Sequence, residues 1–213
     1  MFSTNIKGDC QSQAAALLPV RLFPQAAYYA FMSSLRTAAF NINERYNKAE
    51  KGTHRFTITD TRGPLRLTVP VSRPHGATMW KETIVSDHGR WFETMPVALE
   101  SAYGRTPFFE FYIDRMMPLF NSTGKSIFDL CLEADAIVRS ILHIKTKIVD
   151  PSEIAGAPAV SEAEIKSLYK NEPPYWQVRD SSLGFIGGLS VLDLIFNLGP
   201  EAELYLDLLN FQQ

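Results

Sequence analysis

Two short runs of alternating apolar and polar residues, HRFTITD and PLRLTVPV, flank Thr61-Arg62-Gly63. Phe56 and Ile58 point one way, with Leu65, Leu67, Val69 and Val71; Thr57, Thr59, Arg66 and Thr68 point the other. A period of two with a Gly-containing turn predicts a β-hairpin with one buried face. Pro70 cannot donate to a ladder, so the end of the second strand belongs at a sheet edge. Upstream, LLPVRLF and TAAFNIN read as strands, and PQAAYYAFMSSL between them as a helix with Ala27, Ala30, Phe31, Ser34 and Leu35 in one stripe. Strand, helix, strand at this spacing predicts a βαβ unit with a parallel pair.

From Ser86 to Phe120 the chain is dense in aromatic residues and carries three prolines. That is too apolar for a loop and too interrupted for one helix. It predicts a Ser-Asp-His-Gly turn and two helices reversed at Gly104-Arg105-Thr106, with Thr106 as cap and Pro107 in the first helical position. Phe108, Tyr112, Met116 and Leu119 then share a face. A third helix from Ser126 repeats apolar residues at Ile127, Leu130, Cys131, Ala134, Val138 and Ile141, and Lys147-Ile148-Val149 follows as a strand. Residues 150–184 lose periodicity and read as surface, with Tyr175 and Trp176 tacked onto the body and a helix capped by Ser161 and Glu164. Ser190 and Asp193 form a capping box for a helix ending near Asn197, and Gly199-Pro200 opens another. The expected fold is a single α/β domain, residues 14–213, after a loose tail at 1–13. A mixed sheet is opened by the βαβ unit plus the hairpin, helices pack on it, and the C-terminal third is mostly helical.

Composition narrows the function classes. The chain has 213 residues, 46% hydrophobic, with a net charge of −2. That suits a globular domain with a sizeable core. No Lys/Arg run points to nucleic acid. No apolar run approaches the ~18 residues of a membrane span. The N-terminal AAALL patch is too short for a signal peptide, and two cysteines, Cys10 and Cys131, suit a reducing compartment; the expected location is cytoplasmic.

Local motifs exclude more than they assign. Gly124-Lys125-Ser126 ends like a phosphate loop, but position 119 is Leu where that loop needs glycine. The four histidines lack metal-ligand spacing, and no Gly-x-Ser-x-Gly elbow occurs. No cofactor is named by the residues, and no oligomeric state. Two candidates stay open. His88 beside Asp87 could act as a base, or Ser86 and Asp87 could simply cap the next helix. Glu44, Tyr46, Lys48 and Arg55 follow the second strand. In open α/β sheets ligands gather beyond the carboxyl ends of strands, so this cluster suits an anionic group as well as it suits a solvated loop.

The segments LRLTVPV, IVSDHGRWFETMPVALESAYGRTPFFEFYIDRMMPLF, YWQV and GLSVLDLIFNLGPEAELYL resemble the WbqC-like proteins of bacteria, in the form common in Bacteroidetes. With the weaker LLPVRLFPQAAYYAFM they cover nearly the whole chain. The resemblance implies a link to O-antigen or other surface-polysaccharide biosynthesis. It also implies a transferase moving an amino-acid or acyl group onto a sugar, with an activated sugar or acyl donor as partner. Tyr46, Lys48, Asp87, His88, Trp91 and Tyr103 stand where the family pattern expects them. The implied substrate-binding set is Glu44, Tyr46, Lys48, Arg55, Trp91 and Tyr103, with Asp87 and His88 catalytic. Three positions depart. Leu22-Phe23-Pro24-Gln25 replaces a His-Gln-Pro or Tyr-rich turn, His54 replaces the Asn before Arg55, and Met95-Pro96 replaces a His-Trp pair. The last change removes a titratable group, and Pro96 is expected to bend its helix. A non-catalytic binding or scaffold member of the same pathway is the alternative.

Overall fold

A computed structural model describes residues 15–47 and 52–211. The tail expected at 1–13 and Lys48 lie outside the described residues. The N-terminal unit is the βαβ crossover: β1 (Ala15–Leu18), α1 (Ala26–Ser33) and β2 (Thr37–Phe40). The strands pair in parallel from Ala15↔Thr37 to Leu18↔Phe40. Extended structure stops at Leu18 rather than running to Phe23, because Pro19 has no N–H for the ladder. Ala16, Leu18, Ala38 and Ala39 are fully buried, as expected for a parallel pair covered on both faces.

The hairpin is β3 (Arg55–Asp60) and β4 (Gly63–Thr68), in the register Arg55↔Thr68 to Asp60↔Gly63. Phe56 and Ile58 are buried as the alternation requires, and Phe56 meets Phe23 edge-on at 5.1 Å. The hairpin is a sheet of its own, packed against later helices, so parallel and antiparallel pairing are divided among small sheets. Another small sheet joins β5 (Val71–Ser72) to β6 (Ile84–Val85).

Next come α2 (Trp91–Tyr103) and α3 (Phe109–Met116). Helix α2 runs through Pro96. Thr106 does not cap α3: its hydroxyl donates to Tyr103 O at 2.6 Å, closing the reversal instead. Met116 and Leu119 of the expected face are buried and Tyr112 packs against the core, but Phe109 rather than Phe108 enters it at the start of α3. Helix α4 (Ile127–Ile141), expected from Ser126, is capped by that residue, Ser126 Oγ accepting from Phe128 N at 3.1 Å. Strand β7 (Lys147–Ile148) then pairs in parallel with the far side of β2.

Residues 150–184 are not merely surface. Leu17 N donates to Pro158 O and Val160 N to Leu17 O, both at 2.9 Å, so this segment covers the outer edge of β1. It leads into α5 (Glu162–Leu168), where Ser161 and Glu164 form the predicted capping box. After α6 (Asp180–Leu183) come α7 (Val191–Leu198) and α8 (Ala202–Phe211), the helical C-terminal part. Ser190 caps α7, but Asp193 does not complete a capping box. Its carboxylate is buried and accepts from Tyr175 OH at 2.6 Å and Gln177 Nε2 at 2.8 Å. Burial raises its pKa, and hydrogen bonds from Tyr175, Tyr103, Gln177 and Asn197 oppose that rise. Asp193 thus fastens the irregular 175–177 segment to α7. No helix among the described residues is long and apolar enough to cross a membrane.

Candidate functional site

The polar face of the hairpin is one wall of a cavity of about 290 Å³. Thr57 is paired with Arg66, and Arg55 with Thr68, so alternation places both guanidiniums on the same face. Opposite them stand Arg21 from the loop after β1, Gln25 at the start of α1, and Glu162 and Lys166 from α5. Arg21 follows the carboxyl end of β1, and Glu44 follows that of β2, the end of a parallel pair where ligand sites form.

Arg21 is the deepest of these charges, its side chain 4% exposed. Its Nη1 donates to Glu44 Oε1 at 2.7 Å and its Nε to Glu162 Oε2 at 2.8 Å. Burial alone would lower its pKa; the charges and hydrogen bonds of Glu44 and Glu162 outweigh that and raise it. Glu162 also pairs with Lys166 at 2.7 Å. Burial pushes the Glu162 pKa up, and Lys166 and Arg21 together bring it below the ordinary value. Arg21 and Lys166 are therefore balanced by two carboxylates. Arg55 and Arg66 make no ion pair among the described residues. Arg55 Nε is buried and meets no acceptor there. A buried donor without an acceptor costs about 1–3 kcal/mol, so the wall is built with unused capacity for an anion.

The other expected site residues lie apart from this wall. Glu44 supports it from behind through Arg21. Tyr46 packs on Trp80 at 4.6 Å with the Arg73 guanidinium 5.1 Å from its ring centre. His54, beside Arg55, donates from Nδ1 to Val69 O at 2.9 Å and lies 5.7 Å from the Trp80 ring. Trp91 is buried, its Nε1 donating to Ser86 O at 2.8 Å. Tyr103 is a core residue whose hydroxyl accepts from Thr59 N at 3.2 Å. Asp87 and His88 are exposed and line neither this cavity nor its neighbour. Ser86 Oγ accepts from His88 N at 3.2 Å, so the turn holds itself. Met95 is buried in the core.

Four residues of the wall escaped the sequence reading: Arg21, Arg66, Glu162 and Lys166. Two left a signal. Arg66 shares the polar register of the hairpin with the candidate Arg55, and Arg21 is a lone cation in the apolar run LLPVRLF. Glu162 and Lys166 look locally like an ordinary i, i+4 pair.

A second cavity, of about 340 Å³, adjoins the first; Gln25, Lys166 and Gly188 line both. Between them Gln25 Nε2 donates to Gly188 O and Gly188 N to Glu172 Oε2, each at 2.6 Å. Burial raises the Glu172 pKa, and the bond from Gly188 opposes the rise. No group of three or more His, Cys, Asp or Glu among the described residues could hold a metal ion.

Comparison with known proteins gives no match among curated proteins or solved structures. The family model of the WbqC-like protein family matches residues 20–171, a span that holds Arg21, Glu44, Arg55, Arg66, Glu162 and Lys166. With most of its length matched, the chain belongs to the WbqC-like protein family.

Proposed function

We propose that this WbqC-like protein is a transferase of cell-surface polysaccharide assembly, such as O-antigen synthesis. It holds an activated donor by an anionic group in the arginine-walled cavity and passes an amino-acid or acyl group to a sugar. The observation that carries the reading is the pair Arg55 and Arg66, two cations on one wall without carboxylate partners among the described residues, one with an unsatisfied buried donor. A guanidinium pair suits the fork of a phosphate or carboxylate. Asp87 and His88 line neither cavity, so proton handling by that pair would require an acceptor bound beyond the cavity rim.

A binding role without turnover is the second reading. It is favoured by the cavity lining, which contains no histidine or cysteine among the described residues, and by the buried thioether of Met95. Thermal-shift screening against nucleotide sugars, acyl-CoA and amino acids tests the site, because a ligand of the folded form raises the melting point by mass action. A shift abolished by Arg55→Ala and Arg66→Ala supports the cavity; its persistence in both removes it. Turnover of the binding donor, lost in His88→Ala, supports the transferase. Binding with no turnover of any acceptor sugar leaves the second reading.

A further inference from the structure

The two cavities are chemically unlike and adjacent, sharing Gln25, Lys166 and Gly188 in their linings. The first is walled by guanidiniums. The second is lined by Phe185, Leu209, Ala27 and Tyr169, with Lys170 and Glu172 among them. Phe185 is half-buried and held edge-to-face on Tyr175 at 5.3 Å. The neck between the lobes is kept low by Gly188, at φ +71°, where an added Cβ would lie 3.3 Å from Gln25 Nε2. Each lobe alone is at the small end for an organic ligand; joined, they reach the range of cofactor-sized sites.

A ligand for the whole groove needs two parts. One end must carry about two negative charges, to match Arg55 and Arg66. The other must be uncharged and ring-like, with polar edges. A plain alkyl chain would leave the half-buried Glu172 facing apolar matter, which is costly. We propose that the two lobes form one site for a nucleoside diphosphate, the diphosphate on Arg55 and Arg66 and the base against Phe185. Lys166 stands at the neck, lining both lobes. This rests on the donor-binding reading above and narrows its donor to a nucleotide-linked one.

Isothermal titration of the full chain with pyrophosphate, uridine and uridine diphosphate tests the linkage, with adenosine diphosphate as the purine counterpart. The expected result is a diphosphate nucleoside bound roughly ten- to hundredfold more tightly than pyrophosphate, as stacking of one base supplies. Phe185→Ala removes that advantage. So does Ala27→Met, which fills the lobe from α1 and leaves Phe185 in place. Equal binding of pyrophosphate and both nucleoside diphosphates overturns the two-lobe site and leaves the anion site standing. So does a nucleotide advantage that survives both variants. Failure of pyrophosphate and nucleotides alike overturns the anion site itself.

Discussion

Arg55 and Arg66 are diagonal neighbours on the hairpin, Arg66 facing Thr57 across the ladder and Arg55 facing Thr68. Two like charges on one sheet face repel, and Arg55 Nε adds an unsatisfied donor. The expectation is that Arg55→Gln or Arg66→Gln leaves the ligand-free protein as stable as before, or more stable by about 0.5–1 kcal/mol. The same variants lose the stabilisation that pyrophosphate gives the wild type. Urea denaturation with and without pyrophosphate measures both; a large loss without ligand contradicts this account.

Arg21 behaves in the opposite way. Arg21→Met leaves Glu44 and Glu162 without their buried partner and is expected to cost about 3–5 kcal/mol. Arg21→Lys recovers only part, since Nε and Nη1 reach two different carboxylates and one ammonium cannot copy that fork. Chemical denaturation of the three proteins should order them wild type, Lys, Met. Equal stability of the Lys variant and wild type would show that the fork does not matter.

Gly52 stands close against this buried pair. A Cβ there would lie 2.7 Å from both Arg21 Cδ and Glu162 Oε2. Gly52→Ala is expected to destabilise by roughly 1–3 kcal/mol through overpacking and to weaken pyrophosphate binding, because Arg21 cannot retreat without losing a carboxylate. A crystal structure or calorimetry of the variant that shows both unchanged would refute it.

Glu172 gives a pH dependence of definite sign. Burial raises its pKa in the folded protein, so between the ordinary glutamate value and the raised one the folded state binds more protons than the unfolded. Its contribution is therefore fully present below the ordinary value and lost as pH rises through the folded pKa. Glu172→Gln removes that slope. Comparing urea midpoints at pH 7 and pH 5, wild type should gain relative to the variant at the lower pH; a relative gain at the higher pH would reverse the assignment.

The parts of the fold that local pattern controls could be read from the chain: the hairpin by its alternation, α4 by its apolar spacing, α5 by its Ser161 capping box, the parallel pair by its spacing. Thr106 and Asp193 could not. Each has side-chain chemistry suited to a cap, but Thr106 turns back locally to Tyr103 O, three residues earlier, while Asp193 is drawn off by Tyr175 and Gln177, brought near through tertiary packing. The candidate site divides the same way. Arg55 and Arg66 share a wall through strand periodicity alone, whereas Glu162 reaches Arg21 across 141 positions and no local signal announces it.

That long reach sets when the groove can exist. One buried guanidinium clasps the loop after β1, the stretch after β2 and the first turn of α5. A nascent chain halted anywhere before Glu162 has the hairpin arginines, Arg21 and Glu44, but lacks Lys166 and the second carboxylate that fixes Arg21. Affinity for an anion is thus a late gain of folding, acquired when the last third of the chain closes over the first.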